Sequence, residues 1–377
     1  MTDFRIGRRE RIATRITFLV AGIAMSAWAP LVPLAKARTG LDEASLGLVL
    51  LCFGCGSLVA MPLAGLTSAK FGSRLVIFVA VMALVTALPL LAIVDRPIAL
   101  AAALLVFGAG LGALDVAMNL QAIAVERASG RAMMSGFHGL FSAGGIVGAS
   151  GVALALSAGI DATVVIALLA LLLAIAIGTN LRGLLADATR DRTTTFALPH
   201  GVVLVIGLLA AAAFLVEGAV LDWGALFMTT VRDVSVARAS AGYIAFSIAM
   251  TAGRFGGDRV VQRFGGRRVL VAGALCSALG VAIVVLLPPW SASLAGFALI
   301  GVGASNIVPV LFTAAGSQTA MPPSLAVPAM TTMGYAGLLA GPALIGFAAQ
   351  ASSLSIALFT LVPLLLAVAL VGRTLKA

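Results

Sequence analysis

The fold is decided by apolar stretches such as residues 161–181, which read DATVVIALLALLLAIAIGTNL. Between Asp161 and the end of this stretch there is no charged side chain, and the apolar residues are continuous. A helix needs roughly 20 mostly apolar residues to cross a bilayer, whereas the strands of a membrane barrel alternate apolar and polar residues. The stretch therefore predicts a membrane-spanning helix.

Eleven further stretches of this kind occur along the chain. They lie near residues 12–34, 44–67, 75–94, 98–124, 133–157, 200–226, 239–256, 268–288, 292–314, 327–349 and 352–372. The 377 residues are 61% hydrophobic and only 10% charged, whereas soluble domains carry about 25% charged residues. We therefore predict an all-α membrane protein with twelve transmembrane helices.

The positive charges predict the orientation of these helices. A net charge of +10 could indicate a nucleic-acid partner, but the cations follow the predicted topology. With the N-terminus placed inside, 19 of the 24 Lys and Arg residues fall on the cytoplasmic side, as the positive-inside rule requires. We expect a multi-pass protein in contact with the lipid of a bacterial-type inner membrane, with both termini cytoplasmic and no nucleic-acid partner.

A polar segment divides the twelve stretches into six and six. We predict an N-terminal six-helix bundle over residues 1–181, a cytoplasmic linker over 182–199 and a C-terminal bundle over 200–377. Similar residues recur in the two halves at offsets between 191 and 197, which predicts two pseudo-symmetric bundles with a substrate bound between them. The matched pairs are Gly110 with Gly301, Asp115 with Asn306, Trp28 with Trp223, Gly144 with Gly341, and Gly72 with Gly265.

Two polar sequences between predicted helices contain a glycine turn surrounded by cations. Residues 65–74 read GLTSAKFGSR and residues 258–268 read DRVVQRFGGRR. They resemble the Gly-x-x-x-Asp-Arg-x-Gly-Arg-Arg motif of the major facilitator superfamily, although Ala69 replaces the acid in the first copy. The resemblance implies the major facilitator fold and cationic loops that gate the cytoplasmic side, unless these cations only enforce topology. The gate residues would be Lys70, Gly72, Arg74, Arg254, Asp258 and Arg259.

Two further stretches narrow the resemblance. Residues 115–119 read DVAMN and residues 305–312 read SNIVPVLF. Within the superfamily these stretches resemble the fucose-permease-like branch. It implies proton-coupled uptake of sugars or similar polar solutes. The chain departs from the branch in the first helix, because residues 12–34 contain no acid.

Few ionisable side chains lie inside the predicted spans. A central Asp costs about 2.5–3.5 kcal/mol on insertion scales, so Asp115, His138 and Glu217 are candidates for proton coupling. A structural role, such as an Asp115–His138 contact or simple packing of His138, is the alternative. Every Lys and Arg is expected near a helix end or in a loop, which leaves His138 as the titratable partner of Asp115.

Aromatic and amide side chains are the candidates for substrate binding. Asn119 lies one helical turn from Asp115 on the same face, and Asn306 offers uncharged donors and an acceptor. Tyr335 is the expected counterpart of His138 in the second half. Trp28 and Trp223 could stack on a sugar-like ligand.

Enzymatic functions find no support in the sequence. There is no phosphate-binding glycine loop, and His138 and His200 have no cysteine partner at metal-ligand spacing, so we expect no metal and no cofactor. The function predicted is secondary transport of a small polar solute by a monomer, with proton-coupled uptake. A drug or metabolite exporter and a non-transporting receptor of the same fold are the alternatives.

The topology is testable by labelling single cysteines in intact cells. A cysteine at Arg267, or in the linker at Asp187, should react only with reagents that reach the cytoplasm, and one at Asp42 or Arg232 should react from outside. Labelling at Arg267 by an impermeant reagent added outside would contradict the predicted orientation.

Overall fold

The computed structural model describes residues 7–186, 197–235 and 238–375. These residues form twelve helices and no strand, as predicted. The helices are α1 Arg8–Thr39, α2 Glu43–Phe71, α3 Ser73–Ile93, α4 Pro97–Ser129, α5 Met134–Ser157, α6 Ala162–Asn180, α7 Gly201–Thr230, α8 Ala241–Phe264, α9 Gly266–Leu286, α10 Trp290–Ser317, α11 Pro323–Ala351 and α12 Leu354–Gly372.

Eleven of the described helices are long and apolar enough to cross a membrane, and α8 is not among them. Its 24 residues suffice in length. However, the second half of α8 carries Arg254, Asp258, Arg259 and Arg263, which lower its hydropathy. The predicted span near 239–256 is therefore the start of a longer and more polar helix.

The predicted gate loops are mostly helical, which corrects their expected placement. Arg254, Asp258 and Arg259 lie within α8, and Lys70 lies in the last turn of α2. Gly72 alone stands between α2 and α3, with a φ of 86° that a residue bearing a side chain rarely adopts. The glycine turn was predicted, but the cations around it extend the helices instead of forming a loop.

The chain forms two compact units. Unit 1 consists of the described residues within Met1–Gly130, Leu140–Leu198 and Pro322–Pro328. Unit 2 consists of those within Arg131–Gly139, Pro199–Met321 and Ala329–Ala377. The first residues of α5 thus belong to unit 2 and those of α11 to unit 1. The division at the linker stays a prediction, and residues 187–196 of that linker, including Asp187, lie outside the described residues.

Equivalent helix contacts recur within the two units at a constant numerical spacing. In unit 1, a Cβ on Gly108 of α4 would meet the carbonyl oxygen of Phe53 in α2 at 2.0 Å. In unit 2, a Cβ on Gly301 of α10 would meet that of Phe246 in α8 at 2.2 Å. Both residues of the contact are displaced by 193 positions, from 53 to 246 and from 108 to 301. Small residues allow such backbone approach between membrane helices.

The contacts of α1 with α5 and of α7 with α11 recur at nearly the same spacing. A Cβ on Gly144 of α5 would lie 2.4 Å from the carbonyl oxygen of Leu19 in α1. A Cβ on Gly337 of α11 would lie 2.2 Å from that of Ala211 in α7. The displacements are 193 positions for the glycines and 192 for their partners. The internal repeat is therefore present, with less drift than we predicted.

This spacing corrects most of the predicted pairings. Gly72 and Gly265 do correspond, because each has a positive φ and donates its N–H to the carbonyl four residues earlier. We predicted the other pairs from residue type, whereas the contacts between backbones set the register of the internal repeat. The backbone contacts pair Gly110 with Gly303 instead of Gly301, and Gly144 with Gly337 instead of Gly341. If the same spacing continues, Asp115 would correspond to Val308 instead of Asn306, His138 to Thr331 instead of Tyr335, and Trp28 to Val220 instead of Trp223.

The chain after α6 is anchored against the other helices of unit 1. Arg74 at the start of α3 donates from Nε to the carbonyl oxygen of Leu184 at 2.7 Å. The buried Gln121 of α4 accepts from the N–H of Leu185 at 3.0 Å and donates to Thr14 Oγ1 of α1 at 3.2 Å. Arg74, predicted as a gate residue, is thus bound to the backbone of its own unit.

Charged side chains at the opposite ends of the helices satisfy free backbone groups. Arg38 donates to the carbonyls of Leu91 and Val94 at the end of α3. Asp161 accepts from the first N–H groups of α6, and these hydrogen bonds lower the pKa of its carboxyl. Because the pKa of Asp161 is lowered in the folded state, the ionised cap stabilises the fold at pH values above the usual Asp pKa. This contribution to stability is lost as the pH falls through the lowered pKa.

The glycine contacts predict which substitutions unit 1 and unit 2 tolerate. Gly144→Ala and Gly337→Ala should each destabilise the protein by about 1–3 kcal/mol, since a methyl group would collide with a backbone oxygen. Thermal unfolding of the purified variants measures the effect.

Each variant has a control on the same helix. A Cβ on Gly151 of α5 would have no atom within 4 Å, and one on Gly341 of α11 would have its nearest neighbours at 3.5 Å. Gly151→Ala and Gly341→Ala should therefore keep the unfolding temperature of the wild type. Equal stability of all four variants would show that these backbone contacts do not hold the helices together.

Candidate functional site

Four of the described helices carry a charged or amide side chain near their middle. These residues are Asp115 of α4, Glu217 of α7, Arg254 of α8 and Asn306 of α10. Asp115, Glu217 and Asn306 were predicted inside the spans, but Arg254 was expected at a helix end. The sequence does indicate that Arg254 lies inside the helix and not at its end, because about 16 Å of helix separates it from the turn glycine Gly265.

Asp115 and Asn119 form a pair in unit 1. Asn119 Nδ2 donates to Asp115 Oδ1 at 3.1 Å and to the Asp115 carbonyl oxygen at 2.8 Å. Asn119 is fully buried and Asp115 is half-buried. Among the described residues, no cation forms an ion pair with Asp115. The predicted one-turn contact is therefore present, and Asp115 has an amide as its hydrogen-bond partner.

The glycine face above Asp115 is occupied by a neighbouring helix. Cβ atoms on Gly108 and Gly112 would collide with the backbone of α2 at Phe53 and Ser57. Ser57 Oγ also donates to the Gly108 carbonyl oxygen at 2.9 Å. This face brings α2 close to α4, and the room that its glycines create is filled by protein.

Arg254 organises a second polar group, which lies in unit 2. Its Nη2 is 3.9 Å from Glu217 Oε1, and its Nε donates to the Ser305 carbonyl oxygen at 3.4 Å. Arg254 is 8% exposed. The Ser305 carbonyl is available because Pro309, four residues later, has no N–H to complete the helical bond. The cation thus joins α7 and α8 to an interrupted part of α10.

The interruption of α10 is centred on Asn306. The helix stops at Ala304 and resumes at Ile307, and Asn306 has φ −112° and ψ −2°. Asn306 Nδ2 donates to the Gly253 carbonyl oxygen at 3.3 Å and to Ser305 Oγ at 2.8 Å. Its Oδ1 is buried and, within the described parts of the chain, has no hydrogen-bond partner.

Glu217 has a similar unfilled acceptor. Its Oε1 atom is buried and makes no hydrogen bond to any described residue, since Arg254 Nη2 is too distant and only an ion pair forms. An unsatisfied buried acceptor costs about 1–3 kcal/mol. Glu217 Oε1 and Asn306 Oδ1 are thus two buried acceptors of unit 2 without a hydrogen-bond partner among the described residues, and each needs an explanation.

His138 and Tyr335, predicted as site residues, each pack against a phenylalanine. The ring of His138, which is 7% exposed, stacks on Phe312 of α10 with 5.3 Å between centroids. Tyr335 of α11 similarly faces Phe214 of α7 at 5.9 Å. The pairing of His138 with Asp115 stays a prediction.

The two tryptophans occupy different environments. The Trp223 ring packs against Gly346 of α11, and its Nε1 is buried without a hydrogen-bond partner among the described residues. Trp28 is 9% exposed and lies where α1 changes to a 3₁₀ turn at Ala29–Leu31. They are not equivalent positions of the repeat, and binding of substrate by either stays a prediction.

Asp258, which we predicted as the acid of the gate, accepts a hydrogen bond from a backbone N–H group. Asp258 Oδ1 accepts from the Gly136 N–H at 3.0 Å, and Gln262 Oε1 accepts from the Ala132 N–H at 2.8 Å. These bonds fasten the start of α5 to α8 within unit 2. The Gly136 N–H lies in the first turn of α5, where backbone donors have no partner inside the helix and where the positive end of the helix dipole favours an acid.

The described residues contain no group of three His, Cys, Asp or Glu side chains that could hold a metal ion. The polar groups around Asp115 and Arg254 consist of hydrogen-bonding and charged side chains. They can bind a polar solute or carry a proton.

Comparison with known proteins agrees with this architecture. The family model described as Major Facilitator Superfamily matches residues 16–326. An uncharacterized MFS-type transporter of Yersinia pestis is 52% identical over 368 residues, which are 97% of this chain and 96% of that protein. The membrane protein MosC of Rhizobium meliloti is 32% identical over 357 residues, which are 93% of this chain and 86% of that protein.

A solved structure shows the same fold. The fucose:proton symporter FucP of E. coli is similar with a TM-score of 0.78 and 18% identity, over 97% of each chain. At this identity the similarity concerns the fold and not the substrate.

Neighbouring glycines of α8 allow a test of the Asn306 environment. A Cβ on Gly257 would lie 1.8 Å from Asn306 Oδ1, whereas one on Gly256 would have no atom within 4 Å. Gly257→Ala should displace Asn306 and lower the unfolding temperature, and Gly256→Ala should leave it unchanged. If the two variants unfold at the same temperature, Asn306 is not held against Gly257.

Proposed function

The chain belongs to the major facilitator superfamily, and we propose that it imports a small polar solute together with protons that bind at Asp115. Proteins of this family are secondary transporters, not enzymes. Alternating access would expose the solute site first to the outside and then to the cytoplasm. The further proposals are a bacterial inner membrane location, cytoplasmic termini and a monomeric state.

The observation that supports proton coupling is the environment of Asp115. Its carboxyl lies in the middle of α4, accepts a hydrogen bond from Asn119 and has no ion pair with any described residue. Burying an unpaired charge costs several kcal/mol. A proton on Asp115 would remove that cost when the transporter closes around the site. Release of the proton on the cytoplasmic side would then link solute entry to the proton gradient.

Glu217 is a weaker candidate for this task. Arg254 lies 3.9 Å from its carboxylate and compensates its charge. A carboxylate whose charge is compensated can stay ionised when the site closes, so it is stabilised less by binding a proton. His138 stays a proposed second proton site, with its ring held against Phe312.

The choice of a small polar solute has two supports. The middles of α7, α8 and α10 present a carboxylate, a guanidinium and an amide group, respectively, which suit hydroxyl-bearing ligands. In addition, a fucose:proton symporter is among the proteins that share the fold. Residues 12–34 contain no acid, and Asp115 is the acid near the middle of a helix in unit 1.

An exporter of apolar compounds is the main alternative. It would bind lipophilic ligands and release them outward. A thermal-shift screen of the purified protein against sugars, nucleosides, amino acids, organic acids and lipophilic cations distinguishes the two. We expect a hydroxyl-rich solute to raise the unfolding temperature, and stabilisation by the lipophilic cations alone would favour the exporter.

The coupling role is tested by Asp115→Asn in proteoliposomes with an imposed pH gradient, using the solute that the screen identifies. Asn mimics the neutral carboxyl, so the variant should bind the solute and exchange it between the two sides. It should lose accumulation against a gradient and acidification of the lumen.

Asp161→Asn provides the matched control, because it changes an acid that only caps α6. This variant should accumulate solute as the wild type does. Undiminished accumulation by Asp115→Asn would remove Asp115 from the coupling mechanism and make Glu217 the leading candidate.

A further inference from the structure

We infer that a crevice between the start of α9 and the end of α12 binds an anionic phospholipid of the surrounding membrane by its phosphate group. The crevice belongs to unit 2 and has a volume of about 450 Å³. Its lining residues are Arg267, Arg268, Val271, Ala272, Leu275 and Arg373. The inference goes beyond the proposed function, because lipid binding at this place does not depend on the transported solute.

The first argument is the charge of the crevice. Arg267 and Arg268 lie in the first turn of α9, and Arg373 directly follows α12. None of the three guanidinium groups forms a hydrogen bond or an ion pair with another described residue. The lining contains no acid. A bound anion would therefore compensate three cations that the described part of the chain leaves without a counter-ion.

The second argument is the position of these cations along the helices. α9 and α12 are both long and apolar enough to cross a membrane, and the crevice lies where α9 begins and α12 ends. Arginines at the ends of two spans lie at the level of the phospholipid headgroups. Basic pockets between membrane helices are known to bind anionic headgroups at this level.

The third argument is an exposed apolar strip on α9 that begins at the cations. Ala272, Leu275 and Leu279 follow Arg268 by four, seven and eleven residues, so all four share one face of the helix. Ala272 is exposed, and Leu275 and Leu279 are 42% and 57% exposed. An acyl chain can pack along this strip while the phosphate contacts the arginines. A soluble anion has no use for the strip, so the geometry favours a lipid.

The beginning of α9 adds to the positive potential of the crevice. Gly265, which precedes the helix, makes no side-chain hydrogen bond to the first N–H groups, and the first turn contains no acid. These backbone donors have no partner inside the helix, and the helix dipole is positive at this end. Both properties favour a phosphate.

The equivalent place in unit 1 is occupied by the chain itself. Arg74 donates to the carbonyl oxygen of Leu184 in the chain after α6. Arg267 stands at the same distance from its turn glycine, but no described residue accepts a hydrogen bond from it. A Cβ on Gly72 would collide with the chain after α6, whereas one on Gly265 would have no atom within 4 Å. Unit 2 thus leaves room for an acceptor from outside the described residues.

Lipid binding to the delipidated full chain in detergent tests the inference. Native mass spectrometry compares phosphatidylglycerol with phosphatidylcholine of the same acyl chains. The wild type should bind phosphatidylglycerol about tenfold or more tightly, since the ammonium group of phosphatidylcholine opposes the arginines. Arg268→Gln combined with Arg373→Gln should remove this preference and weaken binding of phosphatidylglycerol about tenfold or more.

Two further double variants separate the crevice from net charge and from folding. Arg8→Gln combined with Arg15→Gln removes two exposed arginines of α1 and should keep the preference of the wild type. Arg268→Lys combined with Arg373→Lys keeps both charges and should also keep it. Without lipid, all variants should unfold at the temperature of the wild type, because the exchanged side chains make no hydrogen bond to a described residue.

Soluble anions distinguish a lipid from a free phosphate. Inorganic phosphate and sn-glycerol 3-phosphate should not displace phosphatidylglycerol even in large excess, because they lack acyl chains. Displacement at concentrations similar to that of the lipid would overturn the inference in favour of a site for soluble anions. Equal affinity of the wild type for the two lipids would also overturn it. So would loss of the preference in the α1 variant, since net charge and not the crevice would then select the lipid.

Discussion

Close approach of helix backbones at glycines is the constraint on which the rest of the structure depends. Lipid is as apolar as the helix surfaces, so the hydrophobic effect does not hold membrane helices together, and packing at small residues does. Gly108 and Gly301 place the carbonyl of a neighbouring helix where a side chain would otherwise stand. The same contact at a spacing of 193 residues gives both units one packing pattern.

The polar centre of unit 2 is a consequence of that packing. α10 is held against α8 at Gly301, and its helix is interrupted at Asn306 a few residues later. The interruption exposes backbone and side-chain oxygens inside the unit, where water is scarce. Arg254 satisfies one of these oxygens and pairs with Glu217. A buried cation is tolerated here because it has both a counter-ion and a carbonyl acceptor.

Asp115 and Glu217 are two acids near the middle of their helices that have different surroundings. Asp115 has an amide partner on its own helix, and its hydrogen bond follows from the spacing of four residues. Glu217 has a guanidinium partner on another helix. The first contact was predictable from the sequence. The second was not, because the apolar run near 239–256 concealed that α8 continues beyond Arg254.

The sequence by itself determined the class of protein, the number of helices and the glycine turn at Gly72, because hydropathy and turn chemistry are local properties. It also singled out Asp115, Asn119, Glu217 and Asn306, since polar residues inside a span are costly. Only the tertiary structure decided the register of the repeat and the partners of Arg254. Both depend on which backbones touch across helices, and residue type alone does not encode that contact.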